Sequence, residues 1–121
     1  MDYFCNACDH VTQDAGQALA HLEAQHPGFL PWLIERLGGD PAPLGAAVWY
    51  WNQDQDPARE GWQPATVTGW GGKDGCPLYD VTLANGWARW GWAWQVIPRS
   101  AGAPAPTDRP GALRGEAGPW P

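Results

Sequence analysis

The feature that most constrains this chain is the spacing Cys5-x2-Cys8-x12-His21-x4-His26. A zinc ion takes four nitrogen or sulfur ligands in a tetrahedron. A C-x2-C turn delivers two thiolates from one knuckle, and the two histidines lie on the same side of a helix, about one turn apart. The spacer between Cys8 and His21 leaves room for a hairpin return and two helical turns. The spacing therefore predicts one structural zinc ion held by Cys5, Cys8, His21 and His26. Four protein ligands close the coordination sphere, whereas a catalytic zinc keeps one position open. The third cysteine, Cys76, sits alone in the turn-rich run Gly71–Pro77 and reads as an inert thiol. An odd cysteine count with one C-x2-C pair reads as an intracellular metal site, not a disulfide framework.

The run Tyr3-Phe4-Cys5-Asn6-Ala7-Cys8, followed by Leu19-Ala20-His21-Leu22-Glu23-Ala24-Gln25-His26-Pro27, resembles a two-Cys, two-His (C2H2-type) zinc finger. Tyr3 stands two residues before the first cysteine, where that family places an aromatic. The resemblance implies the same four metal ligands. Thr12 replaces the usual phenylalanine after the second cysteine, and Ala18 replaces the usual leucine before the first histidine, so the small core is expected to be shifted or thin and to lean on the Phe29–Leu37 helix. The family's DNA-reading positions fall on Asp14, Gly16, Gln17 and Ala20. Specific base reading calls on Arg or Lys for guanine and Asn or Gln for adenine, and only Gln17 qualifies. Asp14 and Gln17 also form a D-x-x-Q capping box at a helix start. Residues 1–35 contain no Lys or Arg to contact phosphates. The finger is expected to be structural or protein-binding. About 25 residues cannot bury enough apolar surface to fold alone, so metal would supply the missing stability.

The chain divides into four expected units. Residues 1–28 form the zinc finger. Residues 29–40 form a short helix, with Leu30, Leu33, Ile34 and Leu37 at i, i+3, i+4 and i+7, Pro31 in the first turn and Gly38-Gly39 as the stop. Pro41-Ala42-Pro43 is a linker. Residues 44–98 read as five short strands: Val48–Trp51, Trp62–Thr68, Leu78–Leu83, Trp87–Trp92 and Gln95–Ile97. Ala65 and Val67 share one face of the second. In the third, Tyr79, Val81 and Leu83 face one side against Leu78, Asp80 and Thr82. Gly71–Gly75 is read as a loop, and Asn85-Gly86 is a hairpin signal. Residues 99–121 are rich in Ala, Gly and Pro and form an extended tail without a core. Five short strands suggest a small barrel, since closing a sheet removes its exposed edges. The pattern Trp62-x2-Ala65-x-Val67, Tyr79-x-Val81-x-Leu83-x2-Gly86 and Val96-Ile97-Pro98 resembles the SH3-like and Tudor-like small barrels. The expected fold class is small α+β: finger, short helix, five-stranded SH3-like barrel and tail.

Eight of the ten tryptophans lie between Trp49 and Trp94. In a continuous strand, Trp90, Trp92 and Trp94 would share one face, and Trp87, Arg89 and Gly91 the other. A barrel this small cannot bury eight indoles. The surplus rings pack between the two lobes, dock a protein partner, or form an aromatic cage for a cation such as methyl-lysine. Trp87, Trp90 and Trp92, with Arg89 as polar anchor, are the candidate partner-binding residues.

The net charge is −6, distributed as −5 over residues 1–40, −2 over 41–98 and +1 over 99–121. No basic patch is present to neutralise phosphates, so nucleic acid is disfavoured as a partner. No apolar run is long enough to span a bilayer, and no secretory signal pattern opens the chain, so an intracellular location or a virus particle is expected. Asp54 and Asp56 read as solvated turn residues, and no nucleophile has a histidine base partner. The sequence thus predicts a non-enzymatic, zinc-stabilised interaction protein, a component of a larger assembly such as a virus or phage particle. A nucleic-acid-associated regulator and a methyl-group reader are the alternatives.

Overall fold

A computed structural model of the chain describes residues 1–52, 60–102 and 104–106. The turn expected at Asp54 and Asp56 and the tail from residue 107 onward lie outside the described residues. Two short strands open the chain, β1 (Tyr3–Cys5) and β2 (Val11–Thr12), paired antiparallel with Tyr3 opposite Thr12. Helix α1 follows over Ala15–Gln25. The Asp14 carboxylate accepts the Gln17 backbone N–H at 3.0 Å, which caps the first turn. The Gln17 side chain does not complete the expected box; its oxygen accepts the Thr12 hydroxyl at 2.9 Å instead.

Helix α2 runs over Phe29–Leu37 and stops at Gly38, whose left-handed φ of 74° lets its N–H and that of Gly39 reach the Ile34 carbonyl. Leu33, at the centre of the expected apolar stripe, is 1% exposed. It joins Leu22 of α1 and the sheet residues Val48, Val67, Trp70, Tyr79 and Val81 in one hydrophobic core. Both helices therefore bury their apolar sides against the same sheet.

That sheet is built from β3 (Ala47–Asn52), β4 (Gly61–Lys73), β5 (Cys76–Leu83), β6 (Ala88–Trp92) and β7 (Val96–Pro98). Strand β4 is the backbone of the arrangement. Its first half pairs with β3, and from Ala65 to Lys73 it pairs on the other edge with β5, through a bulge between Val67 and Gly69. The edge that β3 leaves open is taken by β1, which pairs parallel to β4 with Phe4 opposite Gly69 and Cys5 opposite Trp70. Covering an open edge in this way satisfies backbone groups that would otherwise template pairing with another chain.

Two expectations are corrected here. The segment around Gly71 and Gly72 is not a loop: β4 extends through it to Lys73, and the turn is confined to Asp74 and Gly75, both at positive φ. The barrel does not close. After Trp92 the chain makes a 3-10 turn over Ala93–Gln95, which carries β7 across to pair with β3 and forms no ladder between β6 and β7. The described part is a small α+β structure with two helices and a mixed, open sheet. Because the 3-10 turn interrupts the strand, Trp94 does not continue the alternation of Trp90 and Trp92.

Among the described residues no helix is long and apolar enough to cross a membrane.

Candidate metal centre and tryptophan surface

The β1–β2 hairpin carries Cys5 at the end of β1 and Cys8 in the connecting knuckle, which is tightened by a Cys5 N–H to His10 carbonyl bond of 3.0 Å. Helix α1 carries His21, and His26 caps its C-terminus with its N–H on the Leu22 carbonyl at 2.8 Å. The ligand atoms of Cys5, Cys8, His21 and His26 all lie within 4.8 Å of one another. A tetrahedron with metal–ligand bonds of about 2.0–2.3 Å has edges of about 3.3–3.8 Å. Cys8 Sγ and His21 Nε2 are already 3.3 Å apart. The four residues predicted from spacing therefore converge closely enough to bind a metal ion.

Two further observations fit a cation here. The Nε2 atom of His26 is buried and has no hydrogen-bond partner. A buried polar atom left unpaired is costly, and a metal bond would satisfy it. His21 is held below the ordinary histidine range, first by desolvation and then by the neighbouring His10 and His26. That favours the neutral ring, which is the ligating form. His10, the one histidine outside the ligand set, stacks on His21 with ring centroids 3.9 Å apart and planes 8° from parallel.

The knuckle is seated on the sheet. Asn6, between the two cysteines, donates from Nδ2 to the Trp70 carbonyl at 2.9 Å and to the Asp80 carboxylate. Trp70 is buried, and its indole N–H donates to the Ala42 carbonyl at 2.8 Å, while the Ala42 N–H donates to the Tyr79 hydroxyl at 2.9 Å. The Pro41–Pro43 linker is thus pinned to the sheet by two hydrogen bonds. The glycines of β4 make the seat possible. A Cβ on Gly69 would lie 2.7 Å from the Asp80 carboxylate and 3.0 Å from the Phe4 carbonyl; one on Gly72 would lie 2.5 Å from the Trp32 ring. Sequence reasoning missed Asn6, Asp80, Trp70 and these glycines. The only signal was the unusual glycine density beside a tryptophan, which also fits a turn.

The candidate partner-binding residues separate into two environments. Trp87 is 59% exposed and Trp90 is 49% exposed, whereas Arg89 and Trp92 are half-buried. The Arg89 guanidinium lies 4.9 Å from the Trp87 ring centroid. Trp90 packs edge-on against Trp92 at 5.5 Å and receives the Lys73 ammonium at 5.5 Å from its centroid. Of the two exposed rings, Trp87 stands just before β6 and Trp90 lies within it. Trp51 and Trp70 are buried, and Trp32 packs against the core.

No family model matches this sequence, and neither the curated proteins nor the solved structures provide a match.

Proposed function

We propose that this chain is a non-catalytic protein-interaction module, a component of a larger assembly, whose N-terminal part is a C2H2-type finger stabilised by zinc. The convergence of two thiolates and two imidazoles within 4.8 Å carries the metal half of this reading. Zinc is the ion that this donor set suits best: the mixture of thiolate and imidazole excludes the hard cations, and four-coordinate tetrahedral geometry is zinc's usual structural site. Cys5, Cys8, His21 and His26 would hold it, and its contribution is to cross-link the hairpin to α1. With four protein ligands no position remains for a reacting water.

The open β3–β7 sheet, with its 3-10 turn before the last strand, supports an SH3-like arrangement in its strand order. The docking half of the reading rests on the exposure of Trp87 and Trp90 on either side of Arg89. Exposed aromatic rings grouped together mark contact surfaces, and tryptophan and arginine are enriched among the residues that dominate binding energy. Nucleic acid fits less well, because residues 1–35 carry no Lys or Arg and the chain is −6 overall.

Two measurements test the proposal. Elemental analysis of protein purified without a metal-binding tag should give about one zinc per chain. Trp87→Ala and Trp90→Ala should lower retention of the partner in co-purification while leaving the fold intact. A metal-free protein that melts at the same temperature, or Trp variants that retain every partner, would overturn the corresponding half.

A further inference from the structure

Between the cysteine knuckle and strands β5–β6 lies a cleft of about 430 Å³. Its apolar walls include Phe4, Val11, Ala88 and Trp90. Among its polar lining residues Thr68 is buried and Asp80 is half-buried. Asp80 is paired across the ladder with Trp90, so both side chains rise from the same face of the β5–β6 hairpin.

The charges in this cleft do not balance. Asp80 accepts a hydrogen bond from the neutral Asn6 amide, and among the described residues no cation lies within salt-bridge distance of it. Asp9, at the exposed knuckle, adds a second carboxylate to the lining. Arg89 also lines the cleft, but its guanidinium is committed elsewhere: it lies 4.9 Å from the Trp87 centroid and donates to the Ala88 carbonyl at 3.0 Å. His10 is stacked on His21. A half-buried carboxylate in apolar surroundings is costly without a countercharge. Desolvation accordingly pushes Asp80 above the ordinary carboxylate range. The neighbouring indole already attracts a cation, since the Lys73 ammonium lies 5.5 Å from the Trp90 centroid.

We propose that this cleft receives a lysine or arginine side chain from an extended basic segment of a partner protein, with Asp80 as the countercharge and Trp90 as the aromatic wall. The inference rests on the docking reading above and names the chemistry of its partner. The aliphatic stem of such a side chain suits the Phe4, Val11 and Ala88 surface, and its cationic head suits the carboxylate. The acidic charge of residues 1–98 would draw a basic segment toward the site.

The test is titration of the zinc-loaded full chain with three blocked peptides: Gly-Gly-Lys-Gly-Gly, its arginine counterpart and its norleucine counterpart, followed by tryptophan fluorescence and NMR shifts. At least one basic peptide should bind about tenfold or more tighter than the norleucine peptide, and its binding should weaken with salt. Asp80→Asn should lower that affinity about tenfold and Trp90→Leu about threefold. Zinc content and melting are recorded for each variant. If Asp80→Asn does not fold, Trp90→Leu and the norleucine comparison decide. Equal binding of the norleucine peptide, or unchanged affinity in the folded variants, overturns the proposal. Loss of partner retention in Trp87→Ala, with no peptide binding to the wild type, overturns the cleft and leaves the docking reading standing. Peptide binding with unchanged partner retention in the Trp variants supports the cleft and removes the wider docking surface.

Discussion

Asn6 donates a side-chain hydrogen bond to Asp80, 74 residues away in the sequence. The same Nδ2 group reaches the Trp70 carbonyl at 2.9 Å. One amide in the metal knuckle thus holds both β4 and β5. The cysteine knuckle and the sheet are joined at this residue.

Asn6→Ala should therefore destabilise the whole chain, not the knuckle alone. It leaves a desolvated carboxylate and a carbonyl without their donor, a loss of about 1–3 kcal/mol. Urea unfolding followed by tryptophan fluorescence measures it. A change below about 0.5 kcal/mol would mean that water replaces the amide without cost.

Metal removal should propagate along the same path. Leu22 of α1 packs in the same core as Val67, Trp70 and Val81 of the sheet. Structural zinc contributes on the order of 10 kcal/mol of apparent binding free energy in finger peptides. Chelation should lower the melting temperature seen by the sheet tryptophans as well as the helical signal, and Cys5→Ser or His26→Ala should mimic it. A sheet that melts unchanged after complete chelation would show that the two parts fold independently.

The pH dependence follows from Asp80. Burial raises its carboxyl above the ordinary value of 3.8, and the Asn6 bond offsets only part of that. The native state thus holds this proton more tightly than the unfolded chain. The group's contribution to stability is full below the unfolded value and is lost as pH rises through the folded one. Relative to Asp80→Asn, wild-type stability should fall with rising pH just above 3.8. Comparing the two proteins cancels metal-ligand protonation, which both share. In Asn6→Ala the Asp80 carboxyl, followed by NMR, should titrate higher still. A lower midpoint there would contradict the assigned role of the amide.

The glycines of β4 are where the sequence was least legible. The Cys5, Cys8, His21 and His26 cluster, which lies close enough to bind a metal ion, is legible because its spacing is local: a knuckle and one helix side bring it together without knowledge of the rest. Helix α2 was readable for the same reason, from the stripe through Leu33 and the stop at Gly38. In sequence the Gly71–Gly72 run reads as a loop, because glycine's usual signal is a turn. Its actual role depends on Asn6 approaching Gly71 and Trp32 approaching Gly72 from distant parts of the chain. The parallel β1–β4 pairing and the Asn6–Asp80 bond are long-range in the same sense. Barrel closure is expected from strand count, whereas the structure pairs β6 only with β5 and β7 only with β3, so the sheet stays open. Gly69→Ala should accordingly cost about 1–3 kcal/mol, because its Cβ meets the Phe4 backbone as well as Asp80. Gly39→Ala, with nothing within 4 Å, is the control.

The tryptophans offer the sharpest contrast, because one residue type occupies opposite environments. Trp70 is 7% exposed and its indole N–H is bonded to the Ala42 carbonyl at 2.8 Å. Trp70→Ala removes a large buried ring and should cost about 3–5 kcal/mol, a substantial share of the roughly 5–15 kcal/mol that holds an ordinary domain together. Trp70→Phe keeps most of the volume but strands the carbonyl, so it should fall between alanine and wild type. Trp87 is 59% exposed, and its close contact with Arg89 is a surface one. Trp87→Ala should change stability by no more than about 0.5 kcal/mol. Trp90 is intermediate: losing its edge contact with Trp92 should cost about 0.5–1.5 kcal/mol. Denaturant melts of the four variants give the order directly. If Trp87→Ala destabilises as much as Trp70→Ala, the outer ring is part of the core and the surface assigned to partner binding has to be abandoned.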